Sequence, residues 1–241
     1  MKNTPLLTLI IPAYNEARTI GDVLDKVLKS ITLNKIETQI IVVDDASKDE
    51  TLDRTADWHK RNPEVQLETI ASQPNRGKGF AIRKGIEAAE GDYILIQDAD
   101  HEYDPREYTK LLAPVLDGMA DVVYGSRFVG GNPHRILFFW HSIGNKFLTT
   151  VSNMFTNLNL TDMESGYKLF KREILQSINL KENRFGFEPE VTAKISRIKD
   201  IRIYEVGISY YGRTYAEGKK INWQDGFRAI WCVLKYNLWS K

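Results

Sequence analysis

Residues Tyr93 to Pro105 read YILIQDADHEYDP, and this stretch decides the fold. It begins with four apolar residues, the length expected of a fully buried strand, and turns polar at Gln97. Asp98, Asp100 and Glu102 follow directly. Carboxylates at the end of a buried strand offer the hard oxygen ligands that Mg²⁺ and Mn²⁺ prefer. We therefore expect the chemistry of the protein at the rim of a sheet, where this strand ends.

The spacing of the two aspartates is weak evidence by itself. About one Asp-x-Asp pair is expected by chance in a chain of this composition. The alternative is a solvated turn in which Asp98 caps the next helix. Two earlier predicted strands also end in polar residues, which favours a metal site over a solvated turn.

Three earlier strands, each followed by a helical pattern, are predicted at Leu6–Ile11, Ile40–Val43 and about Val65–Ala71. Strands that alternate with helices indicate a parallel sheet with right-handed crossovers. In such a sheet, ligands bind at the carboxyl ends of the strands. The PAYNE segment (12–16) and the pair Asp44 and Asp45 lie at two of these ends. Three polar clusters at one edge of a sheet are far less expected by chance than one.

The segment NRGKGFAIRKG (75–85) leaves two interpretations open. Its pattern is neither the dinucleotide-binding fingerprint nor a P-loop. Gly77 and Gly79 suit a tight turn into a helix, and they equally suit a close approach of the backbone to phosphate. Lys78 is not assigned to the site.

Composition excludes several classes of protein. The chain has 241 residues, with 33 basic and 32 acidic side chains, so it has no excess of cations for bulk nucleic-acid binding. One cysteine, Cys232, rules out an internal disulfide and a cysteine metal cage, and fits a reducing compartment. No signal peptide and no bilayer-spanning segment is predicted. We expect a cytoplasmic protein, with peripheral contact at the cytoplasmic face of a membrane.

The second half of the chain has a different pattern. Residues 136–157 are rich in aromatic and apolar side chains, which fits helices packed on the sheet or a helix pair at a lipid interface. Residues 161–171 are predicted to enter an edge strand. The tail from Trp223 to Trp239 is amphipathic, with Phe227, Ile230, Trp231, Leu234 and Leu238 on one side. We predict one domain, 1–241, with a nucleotide-sugar-binding half, 1–125, and an acceptor-binding half, 126–241.

Taken together, these motifs resemble the family 2 glycosyltransferases of the GT-A fold, and within them the dolichyl-phosphate mannosyltransferase-like or polyprenyl-phosphate glycosyltransferase group. The resemblance covers most of the chain and keeps the order of the family's motifs. It implies an α/β, Rossmann-like fold with a mostly parallel sheet. The matching segments are IIPAYNE (10–16), VVDDASKDET (42–51), NRGKGFAIRKG (75–85), QDADHEYDP (97–105), GSRF (125–128), DMESGYKLFKRE (162–173) and YYGRTYAEGKK (210–220).

The resemblance also implies a role for each matching residue. The base and ribose of a nucleotide sugar would be held by Pro12, Tyr14, Glu16 and Asp45. The DxD motif would be Asp98 and Asp100, with Ala99 against the substrate and Glu102 as a further ligand of Mg²⁺ or Mn²⁺. Cations of the C-terminal loop over the diphosphate would be Arg213 and Lys219. The acceptor phosphate would be faced by Arg127 and Lys168, while the position of a second arginine in the family reads His141 and Ser142.

The function implied is a metal-dependent, inverting transfer of a hexose from a GDP- or UDP-linked donor to a polyprenyl or dolichyl phosphate. Asp98, Asp100 and Arg213 would be the catalytic residues. One alternative is a family 2 enzyme that extends a cell-surface saccharide. A second is a sugar-phosphate nucleotidylyltransferase, whose first loop is rich in glycine rather than PAYNE, and a third is a non-catalytic binder of nucleotide sugars.

Overall fold

The computed structural model describes residues 5–130, 135–136, 139–214 and 223–239, which form one sheet with helices on both faces. The strands are β1 (Leu7–Ala13), β2 (Thr38–Asp45), β3 (Leu67–Ser72), β4 (Tyr93–Ile96), β5 (Val122–Ser126), β6 (Lys168–Lys171) and β7 (Ile203–Gly207). The helices are α1 (Ile20–Asn34), α2 (Thr51–Arg61), α3 (Lys78–Ala88), α4 (Tyr108–Leu116), α5 (Phe139–Thr156), α6 (Arg172–Ser177), α7 (Phe187–Ile195) and α8 (Trp223–Leu234), with a π-helical turn at Lys235–Trp239.

The seven strands lie in the order β3-β2-β1-β4-β6-β5-β7. Neighbouring strands are parallel except at β6, which runs antiparallel to both β4 and β5. In β1 and β4, Ile10 pairs with Ile96, so the PAYNE segment and the DAD segment leave the sheet side by side. The predicted mostly parallel α/β sheet is confirmed.

Alternate side chains of β1 enter two hydrophobic cores, one on each face of the sheet. Leu9 and Ile11 share one core with residues of α1 and α4, whereas Ile10 shares the other with residues of α3 and α7. All three side chains are fully buried. When both faces of a strand are buried, apolar side chains are favoured at every position. The central strands are therefore continuous apolar runs in the sequence.

The segment 161–171 was predicted to enter an edge strand, and this position in the sheet is wrong. Its strand, β6, is internal and pairs with β4 on one side and β5 on the other. Lys168, at the start of β6, is fully buried, and the negative charges of Glu188, Glu164 and Asp162 favour its charged form there. A charged residue in a central strand is possible only with such partners.

Helix α5 is one continuous helix where a pair was predicted. Only two of its described side chains, Thr149 and Ser152, are buried, while Phe139, Trp140, Phe147 and Met154 are more than half exposed. One side of α5 packs on the core through Leu148 and Val151, as the interpretation of helices packed on the sheet expects, and the other side is exposed. In the described part of the chain, no helix combines the length and apolar character needed to cross a membrane.

Candidate active site

A cleft of about 680 Å³ opens where β1, β2 and β4 end. Ten of the twelve predicted site residues line it: Pro12, Tyr14, Glu16, Asp45, Asp98, Ala99, Asp100, Glu102, Arg127 and Arg213. The structure thus brings together segments that are more than 100 residues apart in the sequence.

The loops after β1 and β2 hold each other in place. Asn15 has a left-handed backbone, with φ of 52°. Its N–H donates to Ser47 Oγ at 2.9 Å, and its Oδ1 accepts from the Lys48 N–H at 2.8 Å. The Glu16 N–H donates to Thr51 Oγ1 at 2.9 Å. The PAYNE and DDASK motifs therefore form a single wall of the cleft.

Asp45 lies at the end of β2 and is almost fully buried. Its two carboxylate oxygens each accept the Arg76 N–H at 3.0 Å, and Oδ2 also accepts the Gly77 N–H. Asp45 thus fixes the start of the NRGKG loop. Its contact with the base and ribose stays a prediction.

The two glycines of the NRGKG loop have a steric role. A Cβ on Gly77 would lie 2.6 Å from the Asn183 carbonyl oxygen, and one on Gly79 would lie 2.5 Å from that of Glu182. Gly77 also has φ of +103°, which L side chains rarely adopt. Both glycines are required by the close packing of this loop on residues 182–184.

Three carboxylates, those of Asp100, Glu102 and Glu16, surround the guanidinium of Arg213. Its Nη2 pairs with Asp100 Oδ2, and its Nε lies 3.6 Å from Glu102 Oε1. The Arg213 backbone N–H donates to Glu102 Oε1 at 2.8 Å, and the Tyr210 hydroxyl donates to Glu102 Oε2 at 2.9 Å. The segment after β7 is thereby fastened directly to the DxD motif.

The carboxylates are crowded, which is the electrostatic signature of a cation site. Burial, and then the negative charges of Asp98 and Glu102, raise the pKa of Asp100 to about 7, although Arg213 opposes the shift. The donor set fits a hard divalent ion, because carboxylate oxygens are its preferred ligands. In the described ranges, however, no three His, Cys, Asp or Glu side chains converge into a metal cluster. Arg213 and Tyr210 engage the oxygens instead, and the ligand role of each residue stays a prediction.

Lys78 is a site residue that the sequence left unassigned. Its ammonium lies 2.7 Å from Asp98 Oδ1 and 3.6 Å from Glu188 Oε1, inside the cleft. Burial works to lower the pKa of Lys78, yet the two carboxylates outweigh it and raise that pKa above its ordinary value. Lys78 is therefore a fixed positive charge next to the DxD motif.

Arg127 lies at the end of β5, with its guanidinium in the cleft. Asp162 accepts from its Nε at 2.6 Å, from its Nη2 at 2.6 Å and from its backbone N–H at 3.0 Å. The guanidinium also lies 5.1 Å from the centre of the Tyr210 ring. Arg127 is thus held rigidly by a buried bidentate ion pair, and its contact with an acceptor phosphate stays a prediction.

Lys168, another predicted cation, is not among the residues that line the cleft. The Lys168 ammonium donates to the Ser165 carbonyl and lies 5.0 Å from the Tyr124 ring centre, with no exposed surface. Burial lowers the pKa of Lys168 to about 8 against the pull of Glu188 and Glu164. The expectation that Lys168 faces the acceptor is therefore corrected, because its side chain is enclosed by the protein. Lys219 lies outside the described residues.

Sequence reasoning missed the carboxylates on the far wall of the cleft. Glu164 and Glu188 line the cleft near Lys78, and Asp162 pairs with Arg127. Glu188 lies in the first turn of α7, where the helix dipole favours an acidic residue. Burial, and then the charge of Glu188, raise the pKa of Glu164 to about 8. A possible signal was the run of acids in DMESG beside a strand.

Helices α5 and α8 form the open end of the cleft. His141, Gly144 and Leu148 line it from α5, and Gly226 and Ala229 line it from α8. Phe147 and Phe227, the sequence neighbours of the lining residues Leu148 and Gly226, are exposed.

Residues 8–178 match the family described as Glycosyl transferase family 2. The chain belongs to glycosyl transferase family 2. This match spans the PAYNE, DDASK, NRGKG, DAD and DMESG motifs, so the predicted family and the prediction of a glycosyltransferase are confirmed at this level.

Two relatives of this family 2 chain share its whole motif-bearing region. The low-salt glycan biosynthesis hexosyltransferase Agl6 of Haloferax volcanii is 29% identical over 227 residues, which cover 94% of this chain but only 52% of Agl6. The dolichyl-phosphate beta-glucosyltransferase of Dictyostelium discoideum is 27% identical over 233 residues, which cover 90% of this chain and 68% of that protein. The chain thus spans about half the length of Agl6.

Among solved structures, this family 2 chain is similar to the glucosyl-3-phosphoglycerate synthase of Mycobacterium tuberculosis, determined with Mn²⁺, UDP and phosphoglyceric acid. The TM-score is 0.73 at 19% identity, with 98% of this chain and 80% of that chain covered. At this identity the similarity establishes the fold alone, and the predicted GT-A fold is confirmed.

Proposed function

We propose that this protein is a metal-dependent, inverting family 2 glycosyltransferase that moves a hexose from a GDP- or UDP-linked donor to a polyprenyl or dolichyl phosphate. The observation that carries the proposal is the convergence of Asp98, Asp100 and Glu102 with Lys78 and Arg213 in one cleft. These residues come from three distant segments and meet at the carboxyl ends of the strands, where α/β sheets bind ligands. In this proposal the front half, 1–125, binds the donor, and the back half, 126–241, binds the acceptor.

The carboxylates are the metal-binding part of the proposal. A divalent ion held by Asp98, Asp100 and Glu102 supplies Lewis-acid stabilisation of the leaving diphosphate. The crystals of the Mycobacterium synthase with Mn²⁺ and UDP support this part by analogy of fold. Arg213 and Lys78 act as fixed positive charges beside the same oxygens, where charge builds up during transfer.

A phosphate acceptor would not need a carboxylate of the cleft to act as general base. Asp98 and Asp100 cannot remove a proton while they ligate a metal, and Asp162 is bound to Arg127. A monoester phosphate has its second pKa at about 6, so it is already anionic at neutral pH and needs no general base. Arg127 positions the acceptor phosphate in this proposal. Lys168 takes no part because it is buried away from the cleft.

A lipid carrier suits the open end of the cleft. Trp140 on α5 is 77% exposed, and Phe227 on α8 is 67% exposed. Aromatic side chains are favoured at the interface between water and lipid. The Dictyostelium relative, named for action on dolichyl phosphate, supports the same acceptor class. We propose that the protein works as a peripheral protein at the cytoplasmic face of a membrane.

The test is a transfer assay with Mn²⁺, a panel of UDP- and GDP-hexoses and a short polyprenyl phosphate. We expect a glycosyl phospholipid product with inverted anomeric configuration, and no product after chelation of the metal. A parallel assay replaces the lipid with free saccharides. Turnover with saccharides alone would reject the lipid acceptor and support the alternative that the similarity to Agl6 favours, extension of a glycan.

A further inference from the structure

Two glutamates on the far wall of the cleft have carboxylate oxygens without hydrogen-bond partners among the described residues. These oxygens are Glu188 Oε2 and Glu164 Oε1, and each is shielded from solvent. Glu188 is only 4% exposed to solvent, and both residues line the cleft. A buried carboxylate oxygen that lacks a donor costs free energy. Such an oxygen inside a binding cleft points to a ligand that donates hydrogen bonds.

The position of the two glutamates indicates which part of a ligand they meet. The Lys78 ammonium contacts Asp98 on one side, at 2.7 Å, and Glu188 on the other, at 3.6 Å. Glu164 lies two residues before Gly166, where an added Cβ would be 2.8 Å from Asp98 Oδ2. Both glutamates therefore lie next to the DxD motif. The wall that the PAYNE and DDASK motifs build is on the other side of that motif.

We propose that Glu188 and Glu164 form the subsite for the transferred sugar and accept hydrogen bonds from its hydroxyl groups. This inference rests on the proposed function, because it takes the DxD motif as the place of the diphosphate. The sugar is joined to that diphosphate and must lie beside it, within reach of the next polar groups in the cleft. Sugar hydroxyls can donate to an ionised carboxylate, and they can also accept from a protonated carboxyl group, the form that burial favours for Glu164.

The charge of the subsite narrows the class of sugar. The negative charge of Glu188 favours a neutral hexose with free hydroxyl groups and repels a sugar that carries its own carboxylate. Lys78 is already paired with Asp98, and Lys168 is enclosed by the protein. A hexuronic acid therefore has no free described cation to meet at these two glutamates.

The test compares the affinity of a nucleotide sugar with that of its nucleoside diphosphate. Binding of UDP-glucose, UDP, GDP-mannose and GDP is measured by calorimetry with Mn²⁺ on the wild type and on Glu188→Gln and Glu164→Gln. We expect Glu188→Gln to bind the nucleotide sugar about 10- to 100-fold more weakly, the effect of a hydrogen bond to a charged group. Glu164→Gln should bind it about 2- to 10-fold more weakly, the effect of a neutral hydrogen bond. Affinity for the nucleoside diphosphate should stay within about twofold.

The matched control is Glu190→Gln on the same helix. Glu190 is fully buried but faces Lys194 and the N–H groups of residues 181 and 182 instead of the cleft. This variant should lower the melting temperature and leave the ratio of the two affinities unchanged. A second comparison uses UDP-glucuronate, whose affinity should rise in Glu188→Gln while that of UDP-glucose falls.

The proposal is overturned if Glu188→Gln and Glu164→Gln both keep the wild-type ratio of nucleotide-sugar affinity to nucleoside-diphosphate affinity. It is also overturned if Glu188→Gln weakens UDP and UDP-glucose equally, since Glu188 would then act only as the partner of Lys78. If Glu188→Gln does not fold, Glu164→Gln, which lies in a loop, decides alone. Absence of transfer from every donor by the wild type would instead reject the proposed function itself.

Discussion

On the donor side of the cleft nearly every polar side chain is held by another part of the protein, whereas on the acceptor side α5 and α8 leave large aromatic side chains in solvent. Asp45 and Asn15 accept backbone N–H groups, and Arg213 is enclosed by carboxylates. By contrast, Trp231 and Trp239 stack on each other at 5.8 Å with about half or more of each surface exposed. In the proposed function, this difference means that the donor side is preorganised for a small charged ligand and that the acceptor side binds an apolar one.

The largest effect should come from Asp98→Ala, which removes a donor-side carboxylate. We expect transfer to fall about 10²- to 10³-fold, the usual loss for an electrostatic group at the reacting centre. Binding to lipid vesicles should not change, because the acceptor side is intact. Initial rates with Mn²⁺, with and without a chelator, measure the first effect, and vesicle sedimentation measures the second.

The control for this variant is Asp104→Asn, which lies in the same stretch but pairs with Arg106. It should retain most of the activity. If Asp98→Ala kept full activity in the presence of chelator, the metal site and the proposed function would both be wrong.

A smaller loss should follow from Arg213→Gln. The guanidinium is a fixed charge beside Asp100 and Glu102, so we expect kcat to fall about 10- to 100-fold, with partial recovery in Arg213→Lys. Steady-state kinetics with varied donor separate kcat from KM. Arg202→Gln removes an arginine that pairs with Asp121 at 2.8 Å away from the cleft, and it serves as the control. Equal kcat in the Arg213 and Arg202 variants would exclude Arg213 from catalysis.

The third prediction concerns the attachment of the acceptor side to the rest of the protein. Glu182 accepts hydrogen bonds from Arg228 at 2.6 Å, from Tyr236 at 2.8 Å and from Lys235 at 3.1 Å. We expect Glu182→Gln to lower the free energy of unfolding by about 1.5–3 kcal/mol, as for lost hydrogen bonds to a charged group. Chemical denaturation at pH 7 measures the loss, with the exposed Glu64→Gln as control.

The difference in unfolding free energy between the wild type and Glu182→Gln should depend on pH in a definite direction. Burial works to raise the pKa of Glu182, but the hydrogen bonds from Arg228, Tyr236 and Lys235 outweigh it and lower the pKa to about 2 from the ordinary 4.5. The stabilisation is therefore full above pH 4.5 and is lost as the pH falls through about 2. The gap between wild type and Glu182→Gln should close over this window. A constant gap at all pH values would contradict the role of its charge.

The smallest effect should come from exposed aromatic residues of the acceptor side. Phe227→Ser and Trp231→Ser should each weaken binding to vesicles about tenfold, since each removes apolar area that would be buried in lipid. Turnover of a short, water-soluble acceptor should be unchanged. Leu33→Ser, at an exposed position on α1, is the matched control. Equal vesicle binding in all three variants would show that these aromatic residues do not bind lipid, and the proposed membrane contact would be wrong.

Sequence patterns predicted the donor side well because its signals are local. Buried parallel strands appear as apolar runs, and the polar residues that follow them mark the edge of the sheet. The strand Tyr93–Ile96 was predicted with its observed bounds. The proximity of Lys78 and Gly166 to Asp98 was not predicted, because these contacts join segments that are distant in the sequence.

The acceptor side was predicted less well because amphipathicity does not reveal which face is covered. Phe227, Trp231 and Leu238 lie on the predicted apolar side of the C-terminal segment, and all three are largely exposed. The face that packs on the protein instead contains Ala229, Cys232, Val233 and Tyr236. Small side chains and a hydrogen-bonded tyrosine fit against α7 and Glu182, which no periodicity indicates.

The reversed strand β6 has a consequence for how the chain can be divided. Strand β5 is hydrogen-bonded to β6 and β7 but not to β4, so residues 1–125 alone would leave β5 without a neighbour and one edge of β4 bare. Chimeras that exchange the two halves between relatives at residue 125 should therefore aggregate through open strand edges. Donor and acceptor recognition can be recombined only by transplanting loops and surface helices onto an uncut sheet.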